Sequence, residues 1–499
     1  MFIFPDYSDL GNVSGATRMT WENELANYSR YHEYFNGDVF KQEVPVEVSL
    51  EGADEPLLFP VGINLVKTLC MSQADALFGE WEDQILKFGV KQDDDADDAS
   101  LNAVSLLGDI MTRSNANAVL WEVALDRELY GGGVIKVSPV LSSSGHIKWV
   151  RVPVQNFYPI FNPEDPDQLL EVYIAIPMSS EQAKIMYGYD KGTPEAVMRV
   201  EHWTRGLYET TLNGKRVDAY TGVNPWGIVP FVYVPRFRSD SVYGDPLTPD
   251  IIPAQDEINM RVADIGEAIN YNAHPIRWGL NMPKAFNTKH FPLAPNAFWD
   301  LGRRIGQSPE PQVGLLEAQH AVNPEAFTQV NFLYDWVRTG NFVPPIALGD
   351  DEGGGQRSGI TLEIRMWSLI KAIRRSRSYM LGGLRQVMDI TAKILKQKSF
   401  NDVSVRSLER ILRGDIVPYM AEILPRDHVA TVDEVVKLLS TDPPGISIET
   451  SQKILGRGSG EVQRILSMIK DKKLWKEMEE SNDVKEGIKG EATPQTKSE

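Results

Sequence analysis

The residues whose types and spacing could do chemistry lie between positions 350 and 396 of this 499-residue chain. Asp350, Asp351 and Glu352 are three consecutive acids. Gly353, Gly354 and Gly355 follow, and then Gln356 and Arg357. Three successive glycines hold no single backbone conformation unaided, so this stretch reads as an acidic, deformable loop. Behind it Lys371, Arg374, Arg375 and Arg377 recur at helical spacing, with Arg365, Arg385, Lys393 and Lys396 extending the polar side. Two chemistries suit these groups. Carboxylates at Asp350 and Asp351, joined by Asp256 and Asp264, would suit a metal-dependent nuclease, although nothing in their spacing requires one. The basic series suits sequence-independent contact with phosphate, and equally an ion-paired contact with acids of a neighbouring subunit.

Other catalytic constellations are missing. The seven histidines, His32, His146, His202, His274, His290, His320 and His428, include no His-x-x-x-His pair, and Cys70 is the only cysteine. Neither a zinc site nor a disulfide framework is expected, and a reducing compartment suits such a chain. No Gly-x-Ser-x-Gly elbow occurs, nor any Walker or dinucleotide glycine pattern. Gly131, Gly132 and Gly133 precede a strand-like run rather than Gly-Lys-Ser/Thr and a helix. The run Asp93, Asp94, Asp95, Asp97, Asp98 reads as a solvated acidic loop. The expectation is a protein that is not an enzyme and carries no cofactor and no metal.

The balance of 51 basic against 69 acidic residues gives a net charge of −18. That argues against tight binding of DNA or an anionic membrane over the whole surface, and leaves room for a local basic stripe. A hydrophobic content of 42% with 24% charged residues fits a globular protein long enough for several structural parts. MFIFPDYSDLGNVSG lacks the basic start and apolar core of a signal peptide, and no apolar run is long enough to span a bilayer.

Helices and strands must position these groups. Periodicity predicts helices over Thr20–Asn36, rich in Trp21, Tyr28, Tyr31, Tyr34 and Phe35, over Asn64–Phe78, and over Leu101–Tyr130. Alternation predicts strands in VIKVSPV and HIKWVRVPV around a Ser142–Gly145 turn, then at Phe157–Pro163, Leu170–Ile176 and Met198–Trp203. Asn213-Gly214 is the favoured two-residue hairpin turn, and NPWGIVPFVYVP adds a turn and an apolar strand. Helix returns over Leu247–Ala273, with Ile251, Ile258, Val262, Ile265 and Ile269 near one face, until His274–Pro275 breaks it. Pro275–Pro324, rich in Pro, Gly and Asn, reads as an irregular module carrying Arg277, Trp278, Lys284, Lys289, Arg303 and Arg304. A helix restarts at Pro324, runs to about Arg338 and is stopped by Pro344–Pro345.

The basic series belongs to one long helix, capped by Ser358, with Glu363 in its first turn. Ile360, Ile364, Trp367, Ile370, Ile373, Met380, Leu384, Val387 and Leu395 form its apolar stripe, and Gly382–Gly383 mark a kink. Shorter helices are expected at Leu408–Leu412, Thr431–Leu439, Ser451–Leu455 and Val462–Trp475, before a charged tail beyond Lys476 that reads as disordered. The fold class is α+β.

A series of segments now acquires meaning from its order: NLVKTLCMSQADALFGE, LDRELYGGGVIKV, VRVPVQNFYPIFNPEDPDQLLEVYIAI, NPWGIVPFVYVPRFR, YGDPLTPDIIPAQDEIN, SGITLEIRMWSLIKAIRRSRSYMLGGL and DPPGISIETSQKILG. Together they resemble the portal (connector) proteins of tailed bacteriophages, of the siphovirus type, from about Trp21 to Lys470. Each piece is degenerate and the shared order carries the resemblance. Pro275–Pro324 departs from any pattern of that family.

The resemblance implies a phage portal fold: a wing over 1–246, stem helices over 247–273 and 324–341, a clip over 274–323 and a tunnel loop over 342–357. The long wing helix would follow over 358–398, then an α-helical crown over 399–475 and a disordered tail over 476–499. It implies a homo-oligomeric ring of about twelve subunits at one capsid vertex of the virion, assembled in the bacterial host cytoplasm. Double-stranded DNA would pass through the ring during packaging and ejection, without sequence readout. The implied partners are the terminase motor (its large subunit), the major capsid and scaffold proteins, and head-completion or adaptor proteins, with no membrane. Asp350, Asp351, Glu352, Gly353, Gly354, Gly355, Gln356 and Arg357 would be the DNA-facing loop. Lys371, Arg374, Arg375 and Arg377 would be phosphate contacts, and Arg277, Trp278, Lys284, Arg303 and Arg304 would dock partners at the clip. The competing readings are another head–tail adaptor or minor capsid protein, and the metal-dependent nuclease.

Overall fold

In the computed structural model the chain is a mixture of helices and antiparallel sheets, in agreement with the α+β class. The structure describes residues 15–41, 62–78, 86–91, 97–139, 147–190, 196–239, 243–273, 276–281, 310, 312–316, 324–349, 359–398, 403–420, 423, 428–440, 447, 451 and 467–468. Two units separate, residues 1–423 and 424–499.

Aromatic spacing builds α1 (Gly15–Asn36), which buries Trp21, Leu25 and Tyr28. Helix α2 (Leu65–Phe78) is the second expected helix, with Leu65, Leu69 and Leu77 inward. β1 (Leu86–Val90) follows it. The single helix expected over 101–130 is two. α3 (Asp98–Ser114) and α4 (Ala116–Tyr130) meet at Asn115, whose left-handed backbone (φ 49°) ends one and starts the other. Asparagine is among the few residues that visit that conformation readily. Asp97, expected in a solvated acidic loop, caps α3 by accepting the Ser100 N–H at 2.9 Å and pairs with Arg410 at 2.8 Å. Asp93, Asp94 and Asp95 lie outside the described residues. Gly131 (φ 93°) closes α4, and a Cβ there would sit 3.0 Å from the Tyr243 carbonyl, so space and conformation both demand glycine.

β2 (Gly132–Pro139) and β3 (Ile147–Val152) pair antiparallel as expected, though their Ser142–Gly145 turn lies outside the described residues. β10 (Phe231–Pro235) joins the other edge of β2. A second sheet is a meander of β4 (Phe157–Phe161), β5 (Leu169–Met178), β6 (Val197–Trp203), β7 (Leu207–Leu212) and β8 (Lys215–Arg216), with β9 (Gly222–Val223) also on β7. Asn213 and Gly214 both have positive φ, 46° and 73°, as a type I′ hairpin turn requires. Between β5 and β6 lies α5 (Ser180–Tyr187), absent from the sequence reading although Ser179 and Gln182 form a complete capping box at its start. The edge strand β4 is covered by side chains. The Trp21 indole N–H donates to the Pro159 carbonyl (3.3 Å), and the Tyr243 hydroxyl donates to the Phe157 carbonyl (3.1 Å).

α6 (Thr248–Ala273) and α7 (Pro324–Gly340) are the two helices expected on either side of the insertion, and they pack together. The segment between them is not wholly irregular. Its two ends are strands, β11 (Ile276–Leu280) and β12 (Gln312–Leu316), paired antiparallel. After a 3-10 turn at Pro345–Leu348 comes α8 (Gly359–Lys398), whose 40 residues span roughly 60 Å. The helix runs through Gly382 and Gly383 without interruption. Gly383 serves close packing instead: a Cβ on it would lie 2.5 Å from Cγ2 of Val234 in β10.

α9 (Val405–Leu412) precedes β13 (Ile416–Met420), which pairs with β1. Residues 399–475 are therefore not purely helical, and α9 and β13 belong to the first unit. The second unit includes α10 (His428–Leu439), where Val435 is buried. Most of the helices expected at 451–455 and 462–475, and the tail beyond Lys476, lie outside the described residues. Among the described residues two large apolar cores organise the first unit, with a small third at Met178, Ala183, Val197 and Leu212. One large core gathers α1, the meander, α6 and the end of α7; the other gathers α3, α4, β2, β3, β10, α8 and α9.

Candidate functional site

The basic series lies on α8, about three turns from its start, and a buried polar network holds α8 and the end of α7 against the sheets. Arg127 and Glu128, at the end of α4, are fully buried. The Arg127 guanidinium donates to the Ser376 hydroxyl (2.9 Å) and carbonyl (3.1 Å) in α8, and to the Pro235 carbonyl (3.2 Å) in β10. Burial brings its pKa down to about 10. Arg236 is ion-paired with Glu128 and donates to Gln73 of α2 (3.3 Å). The Gln73 amide donates to the Asn341 carbonyl just past α7 (2.7 Å). Gln255 of α6 accepts the backbone N–H groups of Leu65 and Val66, at 2.9 and 3.0 Å, so it caps α2. Cys70 sits inside this packing, and burial pushes its thiol up to about 12, which makes it an inert core residue. One set of hydrogen bonds thus ties α2, α4, α6, α7, α8 and β10 together.

The turn after α7 is sharply defined. Asn341 and Val343 donate N–H bonds back to Val337 (3.1 Å) and Arg338 (2.9 Å), and Phe342 adopts a left-handed conformation (φ 59°) with its ring exposed. A bulky residue at positive φ is held there by its surroundings.

On the outside, α7 and the first turns of α8 leave apolar side chains in solvent. Phe332 and Trp336, one turn apart on α7, are 65% and 60% exposed; Ile364 and Trp367 on α8 are 69% and 43% exposed. The apolar stripe of α8 therefore divides. From Leu369 and Ile370 onward it is core, while Ile364 and Trp367 remain uncovered. The Lys371 ammonium lies 5.1 Å from the Trp367 ring and the Arg374 guanidinium 5.9 Å, both as cation–π contacts. Arg375 lies over Phe237 at 5.7 Å. Among the described residues no carboxylate stands within ion-pair reach of Lys371, Arg374, Arg375 or Arg385.

Of the four basic residues singled out in the sequence, three share this exposed arc and the fourth does not. Arg377 points inward, and its Nε donates to the Leu77 carbonyl at the end of α2 at 2.6 Å. Asp350, Asp351, Glu352, Gly353, Gly354, Gly355, Gln356 and Arg357 lie outside the described residues, as do Ser358, Lys284, Arg303 and Arg304. Arg277 and Trp278 are in β11, opposite Leu315 and Gly314, and the Trp278 ring is partly exposed. Asp256 accepts the Tyr34 hydroxyl at 2.8 Å, and Asp264 lies 3.5 Å from Arg261. Among the described residues no three acids, histidines or cysteines gather as a metal site would need, and no helix is long and apolar enough to cross a membrane.

The sequence reading missed Gln73, Arg127, Glu128, Arg236 and Asn341. A signal existed for two of them: Arg127 and Glu128 stand inside LDRELYGGGVIKV, between segments that read as core. No protein-family model matches the sequence, and no curated protein shows a significant match to it.

Proposed function

We propose that this chain is a portal-type subunit, a non-enzymatic building block of a ring that conducts double-stranded DNA at a capsid vertex. The observation that carries the reading is an arrangement. A packed helix pair, α6 and α7, flanks the paired strands β11 and β12, α7 ends in a tight turn, and the 40-residue α8 follows in the chain, with an aromatic face left in solvent. Uncovered Phe332, Trp336, Ile364 and Trp367 are what a subunit carries when its neighbours complete it.

On this reading α6 and α7 are the stem and 274–323 the clip, where the motor and head-completion proteins dock. Residues 342–357 are the tunnel loop and α8 the long wing helix. The net charge of −18 suits a conduit that must not hold a polyanion. Weak phosphate contacts would come from loop residues such as Arg357. Lys371, Arg374 and Arg375 have two partners in such a ring, phosphate and the next copy's acids. Packaging energy comes from a separate ATPase, since the sequence carries no nucleotide-binding loop.

The test is electron microscopy of the purified protein, averaged down the particle axis. Rings of about twelve copies with an open channel are expected. A chain that remains monomeric or dimeric, both alone and with its capsid and scaffold proteins, overturns the proposal.

A further inference from the structure

A closed ring with one kind of contact is heterologous: each copy must carry two different faces that fit one another. The chain displays two such faces. On α8 the exposed arc is Ile364, Trp367, Lys371, Arg374 and Arg375, an apolar centre beside three cations with no acid among them. On α6 the exposed arc is Pro249, Asp250, Pro253, Asp256, Met260 and Asp264, an apolar line edged by acids in excess of the one cation beside them, Arg261. Arg261 pairs with Glu257 and lies 3.5 Å from Asp264, while Asp256 accepts the Tyr34 hydroxyl. These positions fall within one side of the helix at 100° per residue. α2 packs against both α6 and α8, and among the described residues no ion pair joins the two arcs within one chain.

We infer that the basic arc of α8 docks on the acidic arc of α6 of a second copy. The inference rests on the ring reading and names the surfaces that close it. Opposite charge on the two rims fixes register and rejects the like-faced encounter, while Trp367 and Ile364 meet Met260 and Pro253 in the dry centre. It also assigns Lys371 and Arg374 to subunit contact and leaves the DNA path to the loop at 350–357.

The experiment is a reciprocal charge swap, read by mass photometry of the full chain, with thermal unfolding to confirm folding. Lys371→Glu/Arg374→Glu and Asp250→Lys/Asp264→Lys are each expected to lose the ring species. An equimolar mixture of the two is expected to regain it, because each reversed arc then meets its opposite in strictly alternating order. A single chain with all four substitutions is expected to regain it as well. If each swap alone assembles like the natural chain, the pairing is overturned and the ring reading stands. Failure of both the mixture and the fourfold chain to recover also overturns the pairing. A natural chain that never forms rings removes the ring reading and the inference with it.

Discussion

The sheet-bearing body and the α7–α8 surface solve the same problem in opposite ways. In the body, charges that enter the core find partners in the same chain. Glu201, on β6, lies between Lys136 (2.7 Å), Arg199 (3.1 Å) and the Trp203 indole N–H (3.1 Å), and Glu128 is paired with Arg236. Aromatic rings there, such as Trp21, Trp149 and Phe157, are buried. At the outer side of α7 and the first turns of α8, aromatic rings stand in water, and among the described residues no carboxylate stands within ion-pair reach of Lys371, Arg374 or Arg375. The body closes its charges within one chain, whereas the α7–α8 surface is the part that, on the proposed reading, a neighbour would complete. A region that satisfies its own polar groups can fold alone; one that leaves apolar and charged groups together on a surface is shaped for contact.

That comparison can be broken by substitution, and the largest effect is expected where self-sufficiency is deepest. Arg236→Met strips the buried Glu128 of its ion-pair partner and Gln73 of a donor. Stability of the dissociated chain should fall by about 3–5 kcal/mol, the range for removing one side of a buried pair. Chemical denaturation would check it; a loss under about 1 kcal/mol would mean that the network is incidental to the body.

A smaller loss is expected at Glu201. Burial pushes its carboxyl up, but Lys136 and Arg199 outweigh burial and hold it at about 2, below its ordinary value of 4.5. A depressed carboxyl contributes stability that is complete above about pH 4.5 and disappears as pH falls toward 2. Lys136→Met leaves Arg199 in place, so the cost at neutral pH should be about 2 kcal/mol. The acid limb of the stability curve should also be shallower and end about one pH unit higher, since its onset is set by the unfolded carboxyl and only its lower end by the folded one. An unchanged acid limb, followed by circular dichroism across that window, would show that Lys136 does not hold the carboxyl down.

The same contrast explains what was legible in the sequence. Helices with long periodic stripes, α1, α2, α6, α7 and α8, could be placed within a few residues, as could the Asn213-Gly214 hairpin, because local pattern and turn chemistry suffice for them. The pairing of β1 with β13 could not, since it joins Leu86–Val90 to Ile416–Met420 and nothing local announces a partner so distant. The break at Asn115 was hidden because apolar periodicity continues through it. For the candidate site, type and spacing grouped Lys371, Arg374, Arg375 and Arg377 as one basic series, of which the first three share an exposed arc. Arg377 looked equivalent, and only packing shows it turned toward the end of α2. The polar network was invisible because its members come from α2, α4, β10 and α7, and only the fold brings them together.

The smallest expected effect on stability is the sharpest test of the contrast. Phe332 and Trp336 project from the outer side of α7, while Leu333, Tyr334 and Val337 face the core. Replacing both rings with serine removes large apolar groups that touch little within their own chain. The cost to the dissociated chain should stay within about 0.5 kcal/mol, as for other surface changes. Assembly should suffer far more, because those rings are the apolar area a neighbour would cover. Two measurements on one variant therefore separate the regions: a thermal unfolding curve that superimposes on the natural chain, and a loss of ring particles by mass photometry. A large drop in unfolding temperature would place Phe332 and Trp336 in the self-sufficient body. Unchanged assembly would mean that the exposed face is covered by something other than a second copy.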